Sequence, residues 1–498
     1  MEQQPTHRYE HQEGANGVTP VADLSQEQEF HPPISLFLSV PAGLEDVAVR
    51  KLPAMLVKVA TKISYIIGSG YVTMDLLQFK NDIAGLENQT IIQAIADLVQ
   101  YPPLCIFAAY VSMGEIDIPR QIFDMPHRLL EYAANGFQDQ QSKEGEKEHT
   151  TPGPLNENGT GDLGLRWQDA LSVLKSTSAS LARRLCPANT ANAAIRFRGS
   201  FDRGNVQHKG VRSQDLAAGL GDVTGKLFPK WRVDLKEFDA EVMGRWIQDD
   251  LEEIHYKADP SDTHLLPEQK QQAEKQQFKR MQVGMTLPLA LSTCPYRFRP
   301  MDGRTALRME IAYTLLALAG PEPGDVVMDL CSGVGTIPIV GATHYPNCLF
   351  VGSEIVPHNV DKAIENSRGM KEKLDQLRSQ LSSRSSSRAP QHHGYPSLLM
   401  GDARAVCWRP GTVDLIVSDL PWGQRESSHM YNCKLYPRLV KEAIRLLKKN
   451  GRAVFVTGER KLLQRQLDAP FARSCLRLLQ RREITIGFKV MVFELERI

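Results

Sequence analysis

The chain predicts a mixed α/β and α+β fold, with a doubly wound, mostly parallel sheet in its last third and smaller α+β regions before it. Two observations carry this. From Val326 onward, short apolar runs alternate with helical stretches to the C-terminus, the pattern of repeated βα units. Between residues 34 and 300 strands and helices also alternate, but the intervals are irregular and polar segments interrupt them.

Element by element, residues 1–33 are rich in Gln, Glu, His and Pro and predict a disordered tail. Ile34–Val40 predicts a strand, and Pro41-Ala42-Gly43-Leu44-Glu45 opens a helix to about Val59. Tyr65–Met74 predicts a strand and Asn88–Val99 a helix, completing an N-terminal α+β region over 34–137. Residues 138–161 turn to Gln, Lys, Glu, Gly and Pro, an expected disordered insertion. A second α+β region over 162–300 has helices at Ala170–Leu185 and Ser213–Leu227, with strands at Ala194–Phe201, Phe238–Met243 and Met285–Leu291. Leu265–Arg280 reads as a loop or solvated helix. Residues 301–498 begin with a helix at Thr305–Leu318. Strands follow at Val326–Leu330, Cys348–Gly352, Leu398–Gly401, Leu415–Ser418, Ala453–Val456 and Lys489–Leu495. The Ser/Arg-rich stretch 379–396 is expected to be a disordered surface insertion.

Bulk composition excludes little. Hydrophobic residues make up 42% and charged residues 23%, ordinary values for a soluble globular protein, and 59 Lys+Arg nearly balance 58 Asp+Glu. Only the distribution of charge can then speak for a polyanionic partner. Eight scattered cysteines without a C-x-x-C pair argue against a zinc ribbon and a disulfide framework, and predict reduced thiols inside a cell. The polar, acid-containing start is unlike a targeting peptide, and no apolar stretch approaches a bilayer span.

The chemistry concentrates at strand ends. Asp329-Leu330-Cys331-Ser332-Gly333-Val334-Gly335-Thr336 follows a strand and opens a helix, so glycines allow close approach to free backbone N–H groups. A strand-to-helix turn with no ligand is the common alternative, and Pro338 stands where a dinucleotide fingerprint has its third glycine. Glu354 follows the next strand at about the offset where an acid binds a ribose diol, and Asp402, before Ala403, follows the third. One such acid alone is a solvated loop carboxylate; three at successive strand ends suit an amine-bearing nucleoside such as S-adenosylmethionine, with a dinucleotide a poorer fit. After the fourth strand, Val413–Ser418, comes Asp419-Leu420-Pro421-Trp422-Gly423. Asp419 and the Leu420 carbonyl can accept the protons of a planar amine, Pro421 stiffens the loop, and Trp422 offers a stacking face. Taken alone, Asp-x-Pro is a turn or helix cap; the upstream acids favour the transfer reading. A cluster of Arg198, Arg203, Lys209, Arg212, Lys226, Lys230, Arg232 and Lys236 suits phosphate contacts as well as it suits a solvated face, as does the basic run Lys441–Arg482.

These motifs together resemble the THUMP-domain tRNA guanosine-N2 methyltransferases, in particular their eukaryotic branch. The resemblance runs from Gly303-Arg304-Thr305-Ala306-Leu307-Arg308 through the Asp329–Ile339 turn to Val417–Gly423 and Asn432–Pro437. It is looser at Phe197–Arg203, Trp231–Leu235 and Pro41–Glu45. It implies a Rossmann-like methyltransferase domain over 301–498, preceded by a ferredoxin-like part (34–137) and a THUMP-like RNA-binding domain (162–300). It also implies that Arg308, Asp329, Cys331, Gly333, Gly335, Thr336, Glu354, Asp402 and Ala403 hold S-adenosylmethionine, that Asp419, Leu420, Pro421 and Trp422 carry the transfer, and that Arg198, Arg203, Lys226 and Lys230 contact tRNA. A small zinc-binding activator subunit and a cytoplasmic location, with the nucleus open, follow from the same resemblance; no metal or membrane is expected on this chain. Leu420 departs from the proline of the wider amino-methyltransferase class, though not from this branch, and Trp422 replaces the commoner Phe or Tyr. Two other functions stay open: methylation of another planar amine, adenine N6 or a protein glutamine, and an inactive RNA-binding factor.

Overall fold

Two sheets carry the fold in this computed structural model, which describes residues 34–77, 86–119, 170–171, 173–174, 195–204, 212–247, 253–256, 278–291, 297, 299–303, 306–382, 394–422 and 428–498. The expected tail 1–33, the insertion 138–161, residues 383–393 of the second insertion, and Lys209, Arg304, Thr305 and Gly423 lie outside the described residues.

The first sheet has nine strands: β1 (Ser35–Ser39), β2 (Ala60–Tyr65), β3 (Tyr71–Leu76), β4 (Ala108–Pro119), β5 (Arg196–Asp202), β6 (Arg232–Val233), β7 (Ala240–Trp246), β8 (Ile254–Tyr256) and β9 (Phe278–Thr286). Their order is β6-β5-β7-β9-β4-β1-β3-β2-β8. The two N-terminal regions read separately from sequence therefore share one continuous sheet, joined where β4 pairs antiparallel with β9, Tyr110 opposite Thr286. Leu36, Leu38, Val72 and Val242 point to a core shared with helices α3 (Leu86–Gln100) and α4 (Ser213–Leu227). Their strand neighbours Phe37, Tyr71 and Met243 form a small cluster on the opposite face, as period-two alternation requires.

Three expectations shift here. The helix expected over 45–59 is two, α1 (Glu45–Val49) and α2 (Ala54–Val59), because Pro53 is held at ψ 133° and offers no N–H to continue a helix. The strand expected over 65–74 is a hairpin, with Gly68 (φ 86°) and Gly70 (φ 77°) turning the chain between β2 and β3. The end of the stretch read as loop or solvated helix, 278–280, belongs to β9.

The second sheet has seven strands: β10 (Val326–Asp329), β11 (Leu349–Glu354), β12 (Ser397–Met400), β13 (Val413–Asp419), β14 (Leu447–Thr457), β15 (Leu476–Thr485) and β16 (Lys489–Arg497), ordered β12-β11-β10-β13-β14-β16-β15. The first five run parallel and β16 antiparallel between β14 and β15, a Rossmann-like arrangement. Val327, Leu415 and Val454 point to the face covered by α5 (Met309–Ala319), α6 (Thr336–His344) and α7 (Pro357–Ser382). Met328, Ile416 and Phe455 point to the other, covered by α8 (His429–Leu446), α9 (Arg460–Leu467) and α10 (Pro470–Arg473). Burial on both faces explains why the central strands read as unbroken apolar runs. The strand order reverses between β10 and β13, and open α/β sheets bind ligands beyond the strand ends at such a point.

The two sheets are joined into one body. Leu44 and Val47 of the first enter the core of the second. Gly43, at φ 93°, lies so close to β15 that a Cβ would stand 2.2 Å from the Glu483 carbonyl oxygen. Arg482 of β15 bridges Asp46 at 2.9 Å and Glu494 at 3.1 Å, and Arg297 reaches both Glu310 and the Ile106 carbonyl. The buried Glu45 accepts from the backbone N–H groups of Gly43 and Gly70, which oppose the upward push of burial on its pKa.

Candidate active site

At the reversal point the strand ends enclose a cavity of about 760 Å³, walled by the β10, β11, β12 and β13 termini. Asp329 closes β10 and is 3% exposed. Its Oδ1 accepts the Cys331 N–H at 3.0 Å, and the neighbouring Ser418 hydroxyl of β13 accepts the Leu330 N–H at 2.8 Å. Burial pushes the Asp329 carboxyl up to about 7, opposed by hydrogen bonds to it from the Cys331 N–H and the Ser418 hydroxyl. The chain then turns through Gly333 (φ 53°) and Gly335 (φ 84°), a left-handed conformation that costs a glycine little and other residues more. No atom lies within 4 Å of a Cβ built on Gly333, so conformation rather than space calls for glycine there.

Glu354 ends β11 and ties this turn down: Oε2 accepts the Gly333 N–H and Oε1 the Val356 N–H, both at 2.9 Å. Thr336 starts α6, its hydroxyl taken by Arg299 at 2.9 Å. Cys331 lines the cavity with its thiol pushed well up, first by burial and then by Asp329, Glu354, Asp419 and Asp402. Asp402, beyond β12, is clasped by Arg404 through Nε at 2.8 Å and through the Arg404 backbone N–H at 2.9 Å, which hold its carboxyl below the usual range. Ala403 lines the wall beside it. Arg308 precedes α5, with its guanidinium 4.1 Å over the Phe107 ring of the first sheet's domain. All nine residues expected around a cofactor lie at this one place, eight of them on the cavity wall; Gly335 stands just behind it as the α6 N-cap.

The opposite wall is the β13 end. Leu420 donates its N–H to the Val456 carbonyl at 2.9 Å, holding the loop to β14. The Pro421 carbonyl accepts two hydrogen bonds, from Asn432 Nδ2 and the Tyr436 hydroxyl, both at 2.9 Å, and Tyr436 is linked in turn to Thr457 at 2.7 Å. Among the described residues none donates to the Leu420 carbonyl. Among the described residues the Pro421 carbonyl is thus claimed twice and the Leu420 carbonyl is unclaimed. Trp422 stands edge-on to Phe488 at 5.3 Å, and its buried indole N–H has no acceptor among the described residues. Asp419, Leu420, Pro421 and Trp422 all line the cavity.

Several wall and support residues escaped the sequence reading. Ile486 and Phe488 arrive from the β15–β16 hairpin and Tyr431 from the first turn of α8. Asn366 of α7 holds the Met301 backbone through both its side-chain atoms and the Val334 carbonyl through Nδ2. The glycine after β15 (Gly487, φ 99°) was the one local signal of a hairpin there.

The residues expected to contact RNA sit apart, on the first sheet. Arg198 pairs with Glu241 at 2.7 Å and covers the Phe238 ring at 4.0 Å, so its charge is matched internally. Lys226 pairs with Asp222 one helical turn away, Arg203 follows β5, and Lys230 is exposed beyond α4. Among the described residues no group of three or more His, Cys, Asp or Glu is arranged to hold a metal, and no helix is long and apolar enough to cross a membrane.

Comparison with known proteins places chemistry on this geometry. Residues 297–475 match the UPF0020 family model, described as an RMKL-like methyltransferase domain, so the chain carries such a domain. A bovine protein, tRNA (guanine(6)-N(2))-methyltransferase THUMP3, is 28% identical over 276 residues, 55% of this chain and 46% of its own length. The chain thus spans about half the length of the curated relatives it matches. Among solved structures, TrmN from Thermus thermophilus superposes over 93% of this chain and all of its own, with a TM-score of 0.51 and 19% identity. A chain crystallised with SAH superposes over 93% of this chain and 98% of its own, with a TM-score of 0.50 and 11% identity. These two likenesses establish the fold.

Proposed function

We propose that this protein transfers a methyl group from S-adenosylmethionine to the exocyclic N2 amine of a guanosine in tRNA. The observation that carries it is the pairing, across one cavity, of three strand-end carboxylates with a loop offering one carboxylate, one unclaimed carbonyl and one indole. The bovine relative's name supports guanine N2 and tRNA, and the matched domain supports methyl transfer.

The residues fit the cofactor by their donor set. Asp329 would take its amino group, Glu354 its ribose hydroxyls and Asp402 its adenine amine, with the Gly333 backbone near the chain between them. When bound, S-adenosylmethionine supplies an electrophilic methyl group on a sulfonium. What this chain adds is orientation. The N2 lone pair of guanine is delocalised into its ring; hydrogen bonds donated by its two N–H groups to Asp419 and the Leu420 carbonyl would turn the lone pair out toward the donor. Trp422 holds the ring plane. The N–C bond would form as the methyl–sulfur bond breaks, its electron pair leaving on sulfur; Asp419 would stabilise the positive charge developing on nitrogen and accept a proton directly or through water. The first sheet's domain serves as the THUMP-like grip on tRNA, with a small zinc-binding activator subunit as partner and a cytoplasmic site of action.

Labelled methylation of total tRNA, with nucleosides identified by mass spectrometry, tests this. Wild-type protein yields N2-methylguanosine, and Asp419→Ala lowers the rate by about 10²–10³. Label in N6-methyladenosine, or none in RNA, would refute it.

A further inference from the structure

Helix α8 begins at the cavity and carries one unbroken basic stripe away from it. Between residue 431 and the helix's end, the exposed positions are Tyr431, Lys434, Arg438 and Lys441, at the three- and four-residue spacing of one helical face. The only acid in that stretch, Glu442, is 6% exposed and is taken by Arg445 and the Val406 N–H. Like charges at this spacing weaken a helix, and a merely solvated face in a chain of net charge +1 has equal access to acids. Several other exposed cations of this domain do have acid partners, as Lys448 has Asp414 and Arg473 has Asp468. Along the stripe Lys441 instead lies over the Phe471 ring, and no ion pair forms at Lys434 or Arg438 among the described residues.

The stripe starts at the reacting groups. Tyr431 lines the cavity and is 43% exposed, and the same helix supplies Asn432 and Tyr436, which fix the Pro421 carbonyl. The Arg438 charge acts on Asp402 in the cavity wall. From Lys434 to Lys441 the helix advances about 10 Å, the length of about three phosphates of one strand.

We infer that this face of α8 is the track along which the RNA phosphate backbone leaves the active site, with Tyr431 at its head stacking on a base beside the target. This rests on RNA being the substrate. Lys434, Arg438 and Lys441 contact consecutive phosphates and set the register in which the target enters, a task distinct from gripping the RNA at the first sheet.

The test is the full chain carrying Lys434→Gln, Arg438→Gln and Lys441→Gln together. Gln removes like-charge repulsion, so the thermal midpoint does not fall, and S-adenosylmethionine binding by calorimetry holds. The slope of log affinity for tRNA against log salt drops by about 2 to 3, and KM for tRNA rises about tenfold or more. Lys434→Arg with Lys441→Arg keeps the wild-type slope. If wild-type protein methylates tRNA while the Gln variant retains slope and KM, the track is wrong and the stripe serves an acidic protein surface instead. Wild-type protein that does not bind tRNA overturns the track and the substrate reading together.

Discussion

Asp329 ties cofactor binding to pH. The perturbation is a titration of S-adenosylmethionine affinity between pH 5.5 and 7.5, where an α-amino group of pKa about 7.7–8.0 stays mostly protonated. Burial has raised this carboxyl to about 7 in the ligand-free fold. A carboxylate must be ionised to pair with an ammonium, and at pKa about 7 roughly three quarters of sites are ionised at pH 7.5 against about 3% at pH 5.5, so affinity falls roughly 25-fold. The same shift has a stability consequence. The folded state holds this proton more tightly than the unfolded chain, so the site's contribution is fully present below about pH 4 and is lost as pH rises through about 7, a swing of about 4 kcal/mol. Asp329→Asn keeps an oxygen to accept the Cys331 N–H but cannot ionise. It raises the thermal midpoint of ligand-free protein at pH 8 and flattens the pH profile of cofactor affinity. Isothermal calorimetry in two buffers of different ionisation heat counts the proton released. Equal affinity at pH 5.5 and 7.5, or an Asn variant that keeps the wild-type slope, would refute the reasoning.

Three other outcomes follow. Tyr436→Phe removes a hydroxyl bonded to both the Pro421 carbonyl and Thr457, so stability drops by about 1–2 kcal/mol by denaturant unfolding and kcat falls with cofactor affinity unchanged; unaltered kcat would show that the second pin, Asn432, suffices. Trp422→Ala loses stacking worth about 1–3 kcal/mol, so kcat/KM for RNA falls roughly 5- to 150-fold, while Trp422→Phe retains most of it; equal losses would assign the indole to packing against Phe488. Arg482→Met strands Glu494 and leaves Asp46 with Arg50 alone at the junction of the two sheets, which costs about 3 kcal/mol in thermal unfolding. A loss below about 1 kcal/mol would show that water compensates those acids.

What could be read from sequence follows from burial. The β10 and β13 strands are covered on both faces, so their apolar runs and the acids that end them were plain, and with them the place of Asp329 and Asp419. β15 was hidden because it is the sheet edge: residues 477–481 face solvent, and a basic, half-polar run resembles a solvated helix. β4 was missed where Gly114, at φ 143°, interrupts its alternation and shifts its register against β9. The Asp402–Arg404 clasp spans two residues, yet its geometry depends on a turn that composition does not specify. Support residues such as Asn366 and Arg299 act across tens of residues, and no local pattern marks them. The pairing of Arg198 with Glu241 was not legible either, because some forty residues separate the two in the chain.

The doubly satisfied Pro421 carbonyl has a consequence for how far the reaction goes. With it withdrawn, the loop presents two acceptors, Asp419 and the Leu420 carbonyl, to an amino group that has two protons. Once one of those protons has been replaced by methyl, the same group meets one acceptor too many. An acceptor left facing carbon in a desolvated site costs about 1–3 kcal/mol, which disfavours the singly methylated amine as a second substrate by roughly 5- to 150-fold. Under the proposed function, counting acceptors against protons makes the loop a stop signal that favours release of the product after one methyl.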